Sequence, residues 1–166
     1  MSIETAKAYL AGFGLAEQVM EFPVSSATVE LAAKAVGTEP ARIAKTLSFR
    51  GEDGCFLVVA AGDARIDNRK FKATFHRKAA MLTPDEVLTL VGHPVGGVCP
   101  FGVNAGIGVY LDESLRRFAT VFPAAGSGNS AIELSPETLF RVSRAAAWVD
   151  VCRLPEDEGS VGRANR

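Results

Sequence analysis

Residues 46–62, TLSFRGEDGCFLVVAAG, set two apolar runs on either side of Glu52-Asp53-Gly54. Runs of this length, rich in β-branched and aromatic residues, read as strands. An Asp-Gly break between them supplies the left-handed conformations a tight turn wants. The two runs therefore form an antiparallel hairpin, which argues against a doubly wound, all-parallel sheet.

Upstream of the hairpin, residues 2–12 read as a short helix ending near Gly12, and VMEFPV (19–24) as a strand. ATVELAAKAVG (27–37) reads as a helix with Val29, Ala32, Ala33 and Val36 turned inward and Gly37 just past its end. Downstream, Thr83-Pro84-Asp85-Glu86 has Thr at the N-cap, Pro at the first helical position and Glu placed to reach back as a capping box. GVYLD (108–112), ATVFPAA (119–125), SAIEL (130–134) and AAWVDVCR (146–153) read as strands. A short helix at 113–117 and one opening at Ser135-Pro136 and ending near Arg144 separate them. Strand pairs joined by tight turns as well as by helices predict an α+β fold with a mixed sheet. Residues 1–154 read as a single domain. The tail, PEDEGSVGRANR (155–166), is polar, without apolar periodicity, and is expected to fray.

The chain has 166 residues, 48% of them hydrophobic and 22% charged, the proportions of an ordinary globular protein. No stretch approaches the roughly 18 apolar residues of a membrane span, and MSIETAKAYL lacks a basic region followed by an apolar one. A cytoplasmic address is expected. Cys55, Cys99 and Cys152 are odd in number, far apart and free of CxxC spacing, which suggests neither a disulfide framework nor a zinc site. No metal or cofactor is expected.

A formal net charge of −1 hides an asymmetry: residues 65–78, RIDNRKFKATFHRK, hold six Lys/Arg against one Asp. On a helical wheel Arg69, Lys70, Lys72, His76 and Arg77 spread over one arc, with Phe71 and Phe75 opposite. Such a basic face over an apolar keel is either a solvated surface helix or a place for phosphates.

GHPVGGVCPFG (92–102) packs four glycines and two prolines around one cysteine. Gly96 and Gly97 remove side chains where backbone can approach a ligand, and neighbouring amides there can converge on an anion or a developing oxyanion. The loop matches neither GxGxxG after a strand nor GxxxxGK[ST]. Cys99, six residues from His93, is open to two readings: a thiol nucleophile with its base, or a small buried hydrophobe. Lys45, at the junction of PARIAK and the apolar run, either snorkels to solvent or serves a site.

The succession ARIAKTL, an apolar hairpin, GDARID, GHPVGGVCPFG and AIELSPETL resembles the YbaK/prolyl-tRNA-synthetase-associated domain family over roughly residues 15–152. Those proteins are freestanding or appended editing domains that hydrolyse wrongly charged aminoacyl-tRNA. The resemblance implies a mixed, mostly antiparallel curved sheet surrounded by helices. It places the catalytic role on Lys45 with the Gly96 and Gly97 amides, and substrate contacts on Val29, Thr46, His93, Val98, Cys99, Pro100, Phe101, Gly102, Asn129 and Ser130. Nucleic-acid contacts fall on Arg65, Arg69, Lys70, Lys72 and Arg77. The partner implied is a mischarged tRNA, with a synthetase or elongation factor as a possible helper. Many relatives have serine where this chain has Cys99, and some have aspartate where it has Ala131. An aminoacyl ester is already activated, so a positioned water, an oxyanion site and a neighbouring tRNA hydroxyl as base suffice. Alanine, cysteine, serine and threonine all remain open as the group removed. A binding module without the chemistry, and a thiol esterase built on Cys99 and His93, are the competing readings.

Overall fold

The computed structural model describes residues 2–155, so the tail from residue 156 onward lies outside the described residues. Helices are α1 (Ser2–Ala11), α2 (Val29–Val36), α3 (Asn68–Phe75), α4 (Pro84–Glu86, continued by a π-helical turn over Val87–Val91) and α5 (Pro136–Val142). Strands are β1 (Met20–Glu21), β2 (Ile43–Arg50), β3 (Cys55–Ala61), β4 (Arg65–Ile66), β5 (Gly108–Asp112), β6 (Phe122–Pro123), β7 (Ser130–Ala131), β8 (Ala147–Val149) and β9 (Cys152–Arg153).

The central sheet has the order β6-β2-β3-β5-β8. Its longest ladder is the hairpin, β2 antiparallel to β3 from Ala44↔Ala61 to Arg50↔Cys55. The other three pairings, β2–β6, β3–β5 and β5–β8, are parallel. Two small antiparallel ladders, β1–β7 and β4–β9, flank it. The α+β class with a mixed sheet is thus the observed one, with its antiparallel character in the hairpin and the satellites. The hairpin is closed by Gly51 N–H donating to Gly54 O at 2.8 Å, with Glu52 and Asp53 between them.

Local chemistry explains most boundaries. Thr83 and Glu86 form the reciprocal capping box. Arg50, at the end of β2, grips Glu86 through both guanidinium nitrogens, tying α4 to the hairpin. Gly37 ends α2 at φ 77°, where a side chain is strained. The last apolar run is two strands, because the buried Asp112 carboxylate accepts from Ser114 N–H and Val151 N–H, both at 2.9 Å, and bends the chain between them. VMEFPV and SAIEL pair with each other over only two residues each, and SAIEL also bridges Ala124 and Val121 through Ala131 and Leu134.

One face of the hairpin carries an aromatic cluster. Phe49, Phe56 and Tyr110 meet Phe71 and Phe75 of α3 at centroid distances of 4.6–6.0 Å. That is the apolar keel expected of the basic segment, but the helix covers only Asn68–Phe75. His76 follows in the left-handed conformation (φ 59°), and Arg65 belongs to β4. Arg65, Arg69 and Lys72 are exposed, Arg77 is half-buried, and Lys70 Nζ bonds Asp150 and the Cys152 carbonyl.

Candidate active site

The site begins with a gap at the edge of the sheet. β6 pairs with β2 only at Ile43 and Ala44, and it stops at Pro123, which has no N–H to carry the ladder on. Pairing on that edge resumes at Ser48, whose carbonyl accepts from Leu82 N–H at 3.2 Å, and at Arg50, whose N–H donates to Ala80 O at 2.8 Å. Alternate residues of an antiparallel strand turn their N–H and C=O away from the partner. Since Ser48 and Arg50 bond outward, Thr46 also presents its backbone donor and acceptor to the outer edge. Among the described residues no strand covers it.

A cavity of about 390 Å³ occupies this gap. Residues 26–29 at the start of α2, the glycine loop at Val95, Gly96 and Val98, and the β6–β7 region wall it. Its lining is mainly aliphatic, and no carboxylate lines it among the described residues. Lys45 stands at its edge, half-buried, with Nζ donating to Gly62 O at 3.3 Å and to Ala64 O. Burial lowers its pKa below the ordinary lysine value, an effect opposed by the neighbouring Cys152 and Asp63. An ammonium has three N–H donors, so one remains beyond these two carbonyls.

Of the residues expected in the site, Lys45, Thr46, Val29, Gly96, Val98 and Ser130 line this one cavity. The others divide by what holds them. The Gly97 N–H donates to Pro94 O at 2.9 Å, so it is engaged in a turn and is not the oxyanion donor the sequence suggested. Its lack of a side chain serves packing: a Cβ there would lie 2.7 Å from the Ser127 backbone. Gly96 (φ 93°) and Val98 have amides that make no backbone hydrogen bond among the described residues. Gly102 (φ 67°) lies against the backbone of Thr5 in α1, and the buried Pro100 leads into it. Asn129 braces its own loop, accepting from Ser127 Oγ at 2.8 Å and donating to Phe22 O at 3.0 Å.

Cys99, Phe101 and His93 correct the sequence reading: all three are 0% exposed and lie outside the lining. Phe101 O can only accept, so His93 Nε2, at 2.7 Å, carries the proton, and Nδ1 accepts from Ser2 Oγ. Cys99 Sγ lies 3.6 Å from that same protonated Nε2, which cannot act as its base. Burial drives the thiol pKa up to about 12, and keeps the His93 pKa below the usual imidazole value. A closed-off, fully protonated thiol is no nucleophile, and the thiol-esterase reading falls. These residues form instead a strut between α1 and the glycine loop.

Sequence reasoning missed Ser26, Ala27 and Phe122 as walls of the cavity. They reach it through the β1–β7 and β2–β6 pairings, whose partners lie about 110 and about 80 residues apart in the chain, and short ladders of this kind carry no local signal.

Comparison with known proteins agrees with this architecture. A candidate trans-editing enzyme for prolyl tRNA synthetase, known from a crystal structure, superposes with a TM-score of 0.82 at 33% identity, over 92% of this chain and 97% of that one. Residues 24–142 match the model of the aminoacyl-tRNA editing domain, and the chain belongs to that family. It is 54% identical to the uncharacterized protein YwhH of Bacillus subtilis (strain 168), over 92% of this chain and 98% of that protein. It is also 35% identical, over 90 residues, to the proline–tRNA ligase of Thermotoga sp. (strain RQ2), a match that takes in 54% of this chain and 15% of the ligase.

Proposed function

We propose that the protein is a trans-acting editing hydrolase that removes a small amino acid from mischarged aminoacyl-tRNA. The observation that carries this reading is the convergence of Lys45 and Gly96 on one small cavity, in a chain of the editing-domain family. In the reading, the aminoacyl group enters the gap beside Thr46, and the Gly96 and Val98 amides stabilise the oxyanion of the tetrahedral intermediate. The loss of one such donor typically costs about a hundred- to a thousandfold in rate. The remaining N–H of Lys45 holds the ribose or terminal phosphate of the tRNA; a water attacks the ester carbonyl, and the vicinal ribose hydroxyl takes the water's proton as it passes its own to the departing ribose oxygen, releasing free amino acid and tRNA. No protein acid–base pair is needed, because the ester is already activated. Binding alone discriminates one methylene by only about 1–3 kcal/mol, so a synthetase benefits from a second, small pocket that destroys what fits it.

The test is release of amino acid from tRNAs charged with alanine, cysteine, serine or threonine, with correctly charged prolyl-tRNA as control. Turnover of at least one mischarged species, with prolyl-tRNA spared, is the expected result. Binding of tRNA without turnover of any species would leave only a binding module.

A further inference from the structure

Two hydroxyls in the cavity wall have no partner among the described residues. Ser26 is 6% exposed, and its Oγ makes no hydrogen bond; Thr46 Oγ1 is likewise buried and unbonded. Both residues line the cavity. Two other hydroxyls of the wall are engaged: Thr28 Oγ1 caps α2 by accepting from Leu31 N–H at 3.2 Å, and Ser130 Oγ accepts from Ser127 Oγ at 2.7 Å. A buried hydroxyl left unpaired costs about 1–3 kcal/mol, and one with no bond to break turns about χ1 toward an incoming partner without losing any. An aliphatic wall with no carboxylate does not suit a cationic side chain, and an alanyl methyl cannot satisfy either oxygen.

We propose that the cavity selects an aminoacyl group whose side chain carries a hydroxyl, hydrogen-bonded by Thr46 and Ser26, over an apolar group of equal size. The inference rests on the editing reading and names its substrate class. Thr46 is suited to the task because its backbone N–H and C=O also face the gap, so the same residue can hold the substrate's main chain and read its side chain. Sites built to bond a hydroxyl reject the analogue lacking it far more strongly than apolar pockets reject an added one.

The experiment compares kcat/KM for seryl- against alanyl-tRNA, and for threonyl- against 2-aminobutyryl-tRNA, in the wild type, Thr46→Val and Ser26→Ala. Wild-type protein is expected to favour the hydroxylated member of each pair about tenfold or more, and each variant to pull the ratios toward unity. Equal loss on all four substrates would assign the hydroxyls to water placement or folding, and a wild-type preference for alanyl- or 2-aminobutyryl-tRNA would reverse the assignment; either overturns the inference. Calorimetry with the non-hydrolysable 3′-seryl- and 3′-alanylamino-3′-deoxyadenosines separates this failure from failure of the editing reading. Preferential seryl binding without turnover would remove the hydrolase and keep the hydroxyl preference. Turnover without any hydroxyl preference would do the opposite.

Discussion

Lys45 has three N–H donors, and two of them meet the carbonyls of Gly62 and Ala64. That anchoring distinguishes it from a snorkelling surface lysine: the ammonium is fixed in place, and one N–H is left for a substrate. His93 shows the opposite economy, with both ring nitrogens engaged inside the strut and nothing left for catalysis. Burial lowers its pKa in the folded state, so between that value and the unfolded value of about 6.5 the unfolded chain binds the extra proton. Stability is therefore lost as pH falls from 7 through this window, by at most about 1.4 kcal/mol per pH unit. Thermal midpoints measured from pH 7.5 to 5 should fall for the wild type and flatten for His93→Gln; parallel curves would show that other groups cause the drop. Sequence alone showed both residues to be special. It could not tell them apart, because the distinction lies in which distant carbonyls and hydroxyls they meet.

At the scale of elements, what was legible was local. The capping box, the glycine stop of α2, the hairpin and the apolar keel of α3 each rest on contacts within a few residues or on the period of the pattern. The short β1–β7 and β2–β6 ladders were not legible, and they are what close the cavity. The glycine loop illustrates the same limit: its bare backbone was evident, but the reason for it differs at each glycine. Gly97 is glycine because the chain of Gly126 and Ser127 passes within 2.7–2.8 Å of where a Cβ would sit. Gly97→Ala should accordingly destabilise the protein by about 1–3 kcal/mol through overpacking and slow substrate hydrolysis by displacing Gly96. Chemical denaturation beside a deacylation assay checks this; an unchanged midpoint would mean that the loop yields freely and that the contact is not what holds it.

For the whole molecule, the proposed editing requires a chain with a net charge of −1 to meet a polyanion. The exposed cations of the basic segment are Arg65, Arg69, Lys72 and Lys78, while Lys70 is tied to Asp150. Contacts so few predict weak tRNA binding that falls with salt along a modest slope, made shallower still in Arg69→Ala/Lys72→Ala. Filter binding between low and moderate salt reads both; a salt-independent affinity would point to recognition by shape or by a protein partner. Binding, however, is secondary to the claim that Lys45 and the glycine loop act together on one ester. Its most direct test is single-turnover deacylation of a mischarged tRNA by the wild type and Lys45→Ala, with thermal melts alongside. The account predicts that the variant folds with a cooperative melt and releases amino acid no faster than the uncatalysed rate; a folded variant with wild-type turnover would contradict it.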